Sequence, residues 1–219
     1  MAMNFEQARQ NMVENQVRPW EVLDARVLDV LARVRREDFV PPAQRQLAFA
    51  DMCLPLGHGE VMMKPVLEGR MLQALAPTPQ ERVLEIGTGS GFFAACLAGL
   101  AGHVTSVDMH ADFVAAAGQR LAAAGIANVA LEVGEAVQAW QPSGQFDAIV
   151  LTGAVYRVPA RILGWLKPGG RLLAVRGESP VQQVVLLTQE AGGALRETGL
   201  LETDLPYLKH AEPPRRFEF

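Results

Sequence analysis

The chain has 219 residues, 49% of them hydrophobic and 20% charged, with a formal net charge of −4. That length suits one large domain or one domain with an appended lobe, and the composition is globular rather than disordered. The acidic balance argues against a nucleic-acid or anionic-membrane surface, and no apolar run approaches the roughly 18–20 residues that span a bilayer.

The opening "MAMNFEQARQN" lacks the apolar core of a signal peptide, so the cytoplasm is the expected compartment. Cys53 and Cys96 sit in dissimilar settings and make no disulfide framework. Residues 1–78 read as a helical lobe. Leu23, Val27, Val30, Leu31 and Val34 fall at helical spacing, with Pro19 near the start and "FVPPAQ" breaking the chain afterwards. A second helix is expected from Pro65 to Ala76, because proline is tolerated at a first helical position. "APTPQ" (76–80) reads as a linker.

From residue 79 to 219 strands and helices alternate. "RVLEI", "HVTSVD", "NVALEV" and "FDAIVLT" read as strands. "GFFAACLAGLA", "ADFVAAAGQRLAAAG" and "VPARILGWL" read as helices, the second ending at Gly125. "KPGG" reads as a turn into "RLLAV", and the segments from about 170 to 205 lack helices and should pair antiparallel. The expected fold is therefore α/β, a mostly parallel twisted sheet with helices on both faces, which places a ligand at the carboxyl ends of the strands.

"VLEIGTGSGF" (83–92) ends the first strand and opens a helix. Gly87, Gly89 and Gly91, with Thr88 between them, let the backbone bend sharply and approach a ligand closely. A dinucleotide loop would want glycine where Phe92 stands. Glu85 lies two residues before the glycines, where a carboxylate can meet a cationic ligand. Asp108 ends the next strand, followed by Met109, where a carboxylate can accept both ribose hydroxyls. This combination suits S-adenosyl-L-methionine, which carries a positive sulfonium and amine and no phosphate. A glycine turn in another nucleotide-binding α/β protein is the plainer alternative. Gly134 and Glu135 follow the third strand, placing Glu135 to accept from the adenine amine. Thr152 follows the fourth, near the transferring methyl.

The chain resembles the protein-L-isoaspartate O-methyltransferase family over nearly its whole length. "VRREDFVPP" (34–42), "AFADMCLPLGHGEVMMKP" (48–65), "LEIGTGSGF", "FDAIVLTGA" and "LKPGGRL" carry the likeness. The glycine motif is common to many methyltransferases; "REDFVP" and "LPLGHG…KP" are particular to this family. The resemblance implies a Rossmann-like class I methyltransferase with an N-terminal helical lobe. It implies methyl transfer to the carboxylate of isoaspartyl residues in damaged proteins, with S-adenosyl-L-homocysteine as product. The acceptor would be a damaged protein or peptide, and the enzyme a monomer or weak dimer. One segment departs from the family pattern. Met63 stands at the position of the family's active-site serine, Val61 at a threonine and Lys64 at a glutamine. Asp108 and Glu135 exchange one carboxylate for the other.

The chemistry is an in-line displacement in which an ionised carboxylate attacks the methyl carbon, so no strong base is required. The serine would orient the acceptor oxygen; losing one such donor costs about 1–3 kcal/mol. Lys64 is then a candidate to hold the acceptor carboxylate, with Met63 and Val61 beside it. Otherwise the pocket suits a less polar acceptor, or the chain binds the cofactor without turnover. His58 between two glycines reads as a turn residue, and His103 and His110 show no metal-like spacing, so no metal is expected. Cys53 reads as an inert buried thiol. Arg33, Arg35, Arg36, Glu37 and Asp38 read as a solvated face. The tail "PPRRFEF" has the alternation of an edge strand or a partner-binding segment.

Overall fold

The computed structural model describes residues 3–190 and 193–214. Seven strands form one sheet: β3 (Arg82–Ile86), β4 (His103–Asp108), β5 (Val129–Val133), β6 (Phe146–Val155), β7 (Leu166–Glu178), β8 (Val181–Gln189) and β9 (Leu195–Thr203). Their spatial order is β5-β4-β3-β6-β7-β8-β9, parallel from β5 through β7, with β8 antiparallel to β7 and β9 antiparallel to β8. The order reverses direction at β3, which creates the crevice where α/β sheets hold ligands.

The strands bury both faces, and their residues divide between two cores with a period of two. Val83, Ala148, Val150, Leu173, Val175 and Val184 join one cluster with α3 (Pro65–Leu75), α4 (Phe92–Ala98) and the N-terminal segments. Leu84, Ile86, Ile149, Leu151, Leu172, Ala174 and Val185 join the other. The second face is covered by α6 (Ala160–Leu163) and by loops through Ala136 and Ala211. The helix expected from "VPARILGWL" is thus a single turn. "KPGG" is not a turn before β7 but an excursion within it. Phe146 pairs with Leu166 and Ala148 with Arg171, so β7 bulges by several residues between those pairings. α5 (Ala111–Ala123) runs to a left-handed Gly125, as expected.

The N-terminal segment begins with α1 (Phe5–Met12), continued by a π-turn over Val13–Val17 and a 3₁₀ turn holding Pro19. α2 (Ala25–Arg33) starts later than its apolar spacing indicates. The Asp24 carboxylate accepts from the Arg26 N–H and fixes the start. Leu23 therefore precedes the helix and is exposed, while Val34 follows it. α3 begins with Pro65 at its first turn and ends at a left-handed Ala76.

The largest departure from a purely helical lobe lies just before α3. β1 (Leu54–Gly57) and β2 (Glu60–Met62) form an antiparallel hairpin, pairing Leu54 with Met62 and Pro55 with Val61. Its turn takes three consecutive positive φ values, +116° at Gly57, +55° at His58 and +82° at Gly59. Glycine supplies two of these at little cost, and histidine is among the residues that tolerate the third. Among the described residues, no helix is long and apolar enough to cross a membrane. The "RRFEF" part of the tail lies outside the described residues.

Candidate functional site

Four strand ends converge on one cleft. β3 runs into Gly87, whose φ is +102° and whose missing Cβ would sit 2.3 Å from Thr152 Oγ1. Only glycine fits there, because the Thr152 hydroxyl donates to the Gly87 carbonyl at 2.6 Å from the end of β6. Asp108, at the end of β4, is buried and holds the loop. One carboxylate oxygen accepts from the Gly89 N–H and the other from the His110 N–H, both at 2.9 Å. Gly134, after β5, backs onto the Trp140 ring, which a Cβ would meet at 2.4 Å.

The resulting cleft is half open to solvent and is lined by Gly87, Gly89, Asp108, Met109, Gly134, Glu135 and Thr152. Gly91 and Thr88 do not line it. Gly91 turns the chain into α4 at φ +83°, and Thr88 is buried with its hydroxyl 2.6 Å from that of Ser106. Glu135 lines the cleft, but its two oxygens accept from the Val137 and Gln138 N–H groups at 2.8 and 2.9 Å. The carboxylate first anchors its own loop.

Beside the cleft lies a smaller, inner cavity lined by Val61, Met62, Met63, Glu68, Glu85 and Thr88. The two share Leu56, Val61, Gly87, Gly89 and Thr152. The hairpin thus forms one wall of a space whose other wall is the glycine loop. Glu85 is fully buried; one oxygen accepts from the Ser106 hydroxyl and the other has no partner. Burial pushes its carboxyl up to about 8, against the Ser106 hydrogen bond, with Asp108 and Glu68 adding to the rise. A folded-state value above the ordinary 4.5 means that this group favours the folded chain fully below 4.5 and loses that contribution as pH rises through 8. Glu68 titrates over much of the same window, so comparison with a variant isolates Glu85. Urea unfolding midpoints of wild type should fall relative to Glu85→Gln between about pH 5 and about pH 8. Parallel pH profiles would refute this.

The segment containing Met63 is held by a residue that the sequence reading placed on a solvated face. Arg36 is fully buried: its Nη2 donates to the Met63 carbonyl at 2.6 Å, its Nε to the Ala48 carbonyl at 2.7 Å, and its Nη1 to Glu68. Glu37 is buried as well, paired with Arg9 at 2.6 Å. Burial pushes the Glu68 carboxyl up to about 7, opposed by the Arg36 charge. Met63 is itself buried and faces the inner cavity. Lys64 is the residue preceding α3 and lines neither the cleft nor the inner cavity. The buried cation at this segment is Arg36. Cys53 is half-buried, with its thiol pushed up by burial, which agrees with an inert role.

His58 sits in the hairpin turn, as expected, but it has a partner that the spacing did not indicate. His58 at the hairpin tip stacks on His110 with ring centroids 4.1 Å apart, and its Nε2 lies 3.0 Å from Asp112 Oδ2. No local spacing in the sequence signals this pairing.

The sequence pattern of the family described as protein-L-isoaspartate(D-aspartate) O-methyltransferase matches residues 7–204. A protein-L-isoaspartate O-methyltransferase of Anaeromyxobacter sp. (strain Fw109-5) is 39% identical over 193 residues, 88% of this chain and 79% of that one. Another, of Methanoculleus marisnigri, is 38% identical over 184 residues, 84% of each. A Plasmodium falciparum protein-L-isoaspartate O-methyltransferase, solved with S-adenosyl-L-homocysteine, superposes with a TM-score of 0.79 at 18% identity, over 92% of this chain and 98% of that one. The hairpin, the glycine loop and the Asp108 clamp all lie within the matched span, and the chain belongs to the protein-L-isoaspartate(D-aspartate) O-methyltransferase family.

Proposed function

We propose that the chain transfers a methyl group from S-adenosyl-L-methionine to the carboxylate of isoaspartyl residues in damaged proteins. The observation that carries this reading is the shared wall of the two cavities. Leu56, Val61, Gly87, Gly89 and Thr152 line both, which sets the Asp108 cleft directly beside the cavity lined by Met63. Two features suit the cofactor: the glycine loop beside the cleft, whose Gly87 leaves no room for a side chain, and the unpartnered Glu85 oxygen. When bound, it supplies a methyl on a sulfonium that leaves as a neutral thioether. Asp108 and Met109 would hold the adenosine end, with Gly134 and Glu135 beside the base, while Glu85, Thr88 and Gly91 shape the loop around the amino-acid end.

The protein's task is then positioning. Residues up to 78 carry the acceptor wall, and residues from 79 carry the cofactor. Arg36 fixes the Met63 carbonyl, and the hairpin orients the incoming carboxylate. Methyl transfer to an isoaspartyl peptide, scored against its aspartyl twin, tests the reading. No transfer above background, with the cofactor shown to bind, would refute it. A damaged protein or peptide as acceptor, a cytoplasmic location and a monomer or weak dimer complete the proposal.

Met63 supports a second reading on the same fold, because Val61, Met62 and Met63 give the inner cavity an apolar wall suited to a less polar acceptor. Met63→Ser separates the two. Restoring one donor should raise isoaspartyl methylation about tenfold to a hundredfold. A fall in activity on the true acceptor would instead assign the methionine to a different specificity.

A further inference from the structure

We infer that His58, His110 and Asp112 form a binding site for a divalent transition-metal ion of the zinc type, clipping the hairpin tip to the start of α5. The site itself is independent of the methyl-transfer reading. One imidazole ring nitrogen from each histidine and one Asp112 carboxylate oxygen all lie within 4.8 Å of one another. His58 Nε2 and Asp112 Oδ2, 3.0 Å apart, are already near the roughly 3.3 Å that separates two ligands of one tetrahedral zinc ion. His110 contributes a buried Nε2 with no hydrogen-bond partner. Buried polar atoms are rarely left so, and an ion at this nitrogen would satisfy it.

The two rings are stacked, 9° from parallel, and lone pairs lie in the ring planes, so one ring must turn for both to reach one ion. His58 is the ring placed to turn, since it is exposed at the hairpin tip. Phe113 stands edge-on to both rings, at 5.3 and 5.2 Å, and walls the pair on its apolar side. Two imidazoles and one carboxylate suit zinc, nickel or cobalt and leave further positions to water. The neighbouring charges favour a cation: Glu60 and Asp108 stand close by, with Lys209 as the opposing charge.

The location gives the ion a consequence. His110 and Phe113 line the cleft together with Glu60 and Val61 of the hairpin. An ion joining His58 to His110 holds the hairpin against the cleft and slows departure of its occupant. This consequence, unlike the site, rests on the cleft being the cofactor's.

The test uses the full chain without cofactor or acceptor, titrated with zinc chloride by calorimetry and with cobalt chloride by visible absorption. One equivalent should bind to wild type. His58→Asn, which tolerates the left-handed backbone, and Asp112→Asn should each weaken binding about tenfold or more. The double variant should lose the site. Absence of a stoichiometric site, or one that survives the double variant, overturns the proposal. A second measurement follows S-adenosyl-L-homocysteine release by stopped flow with and without zinc. Release should slow in wild type and not in His58→Asn. Zinc binding without slower release would overturn the clip.

Discussion

Asp108→Ala should weaken cofactor binding about a hundredfold or more. The carboxylate closes β4 and faces the cleft, where a ribose would offer two hydroxyls. Hydrogen bonds to a charged acceptor contribute about 1.5–3 kcal/mol each. Losing two therefore costs roughly 3–6 kcal/mol, or about two to four orders of magnitude in Kd. The same side chain accepts from the Gly89 and His110 N–H groups, so alanine also loosens the glycine loop. Asp108→Asn separates the two effects. It retains one acceptor oxygen and nearly the same shape but no charge, and should fall between wild type and alanine. Calorimetric titration with S-adenosyl-L-homocysteine measures all three, with circular dichroism confirming the fold. Binding by Asp108→Ala within about threefold of wild type would remove Asp108 from the cofactor site.

The glycine-loop side of the cleft was legible because its signals are local. A strand followed by three alternating glycines, and a carboxylate closing the next strand, dictate geometry through a few neighbouring residues. Gly87 shows the reason: its conformation and the Thr152 contact both exclude a side chain. The hairpin side was less legible. "GHGEVMM" shows no strand alternation, and its hairpin depends on a turn whose three left-handed residues are recognisable only once two strands flank it. Charged runs misled for a related reason. Arg35 and Arg36 are adjacent in a run of like composition, yet one is exposed and the other fully buried. Nothing in residues 33–38 distinguishes them, since Arg36's partners, Ala48, Met63 and Glu68, lie well downstream. The His58–His110 stack leaves no signal in the sequence because its two halves come from different segments that only the closed fold brings together.

Arg36→Ala should be the most destabilising single change among those considered, by about 3–5 kcal/mol. It leaves Glu68 buried without its cation and removes the donor from two carbonyls, those of Ala48 and Met63. It also empties the space where the guanidinium rests 4.7 Å from the Phe92 ring centre. The ion pair need not be net stabilising for this to hold, because the cost comes from breaking one side of it. A well-packed apolar replacement for a buried pair is often neutral. The double variant Arg36→Met, Glu68→Leu should therefore recover much of the lost stability, as read by urea unfolding. It should not recover activity. Without the guanidinium the Met63 carbonyl is unheld, and the acceptor wall loses its fixed distance from the glycine loop. KM for the acceptor should rise and kcat fall, while cofactor affinity stays near that of wild type. Full recovery of both stability and turnover in the double variant would show that Arg36 serves folding alone and does not position the acceptor segment.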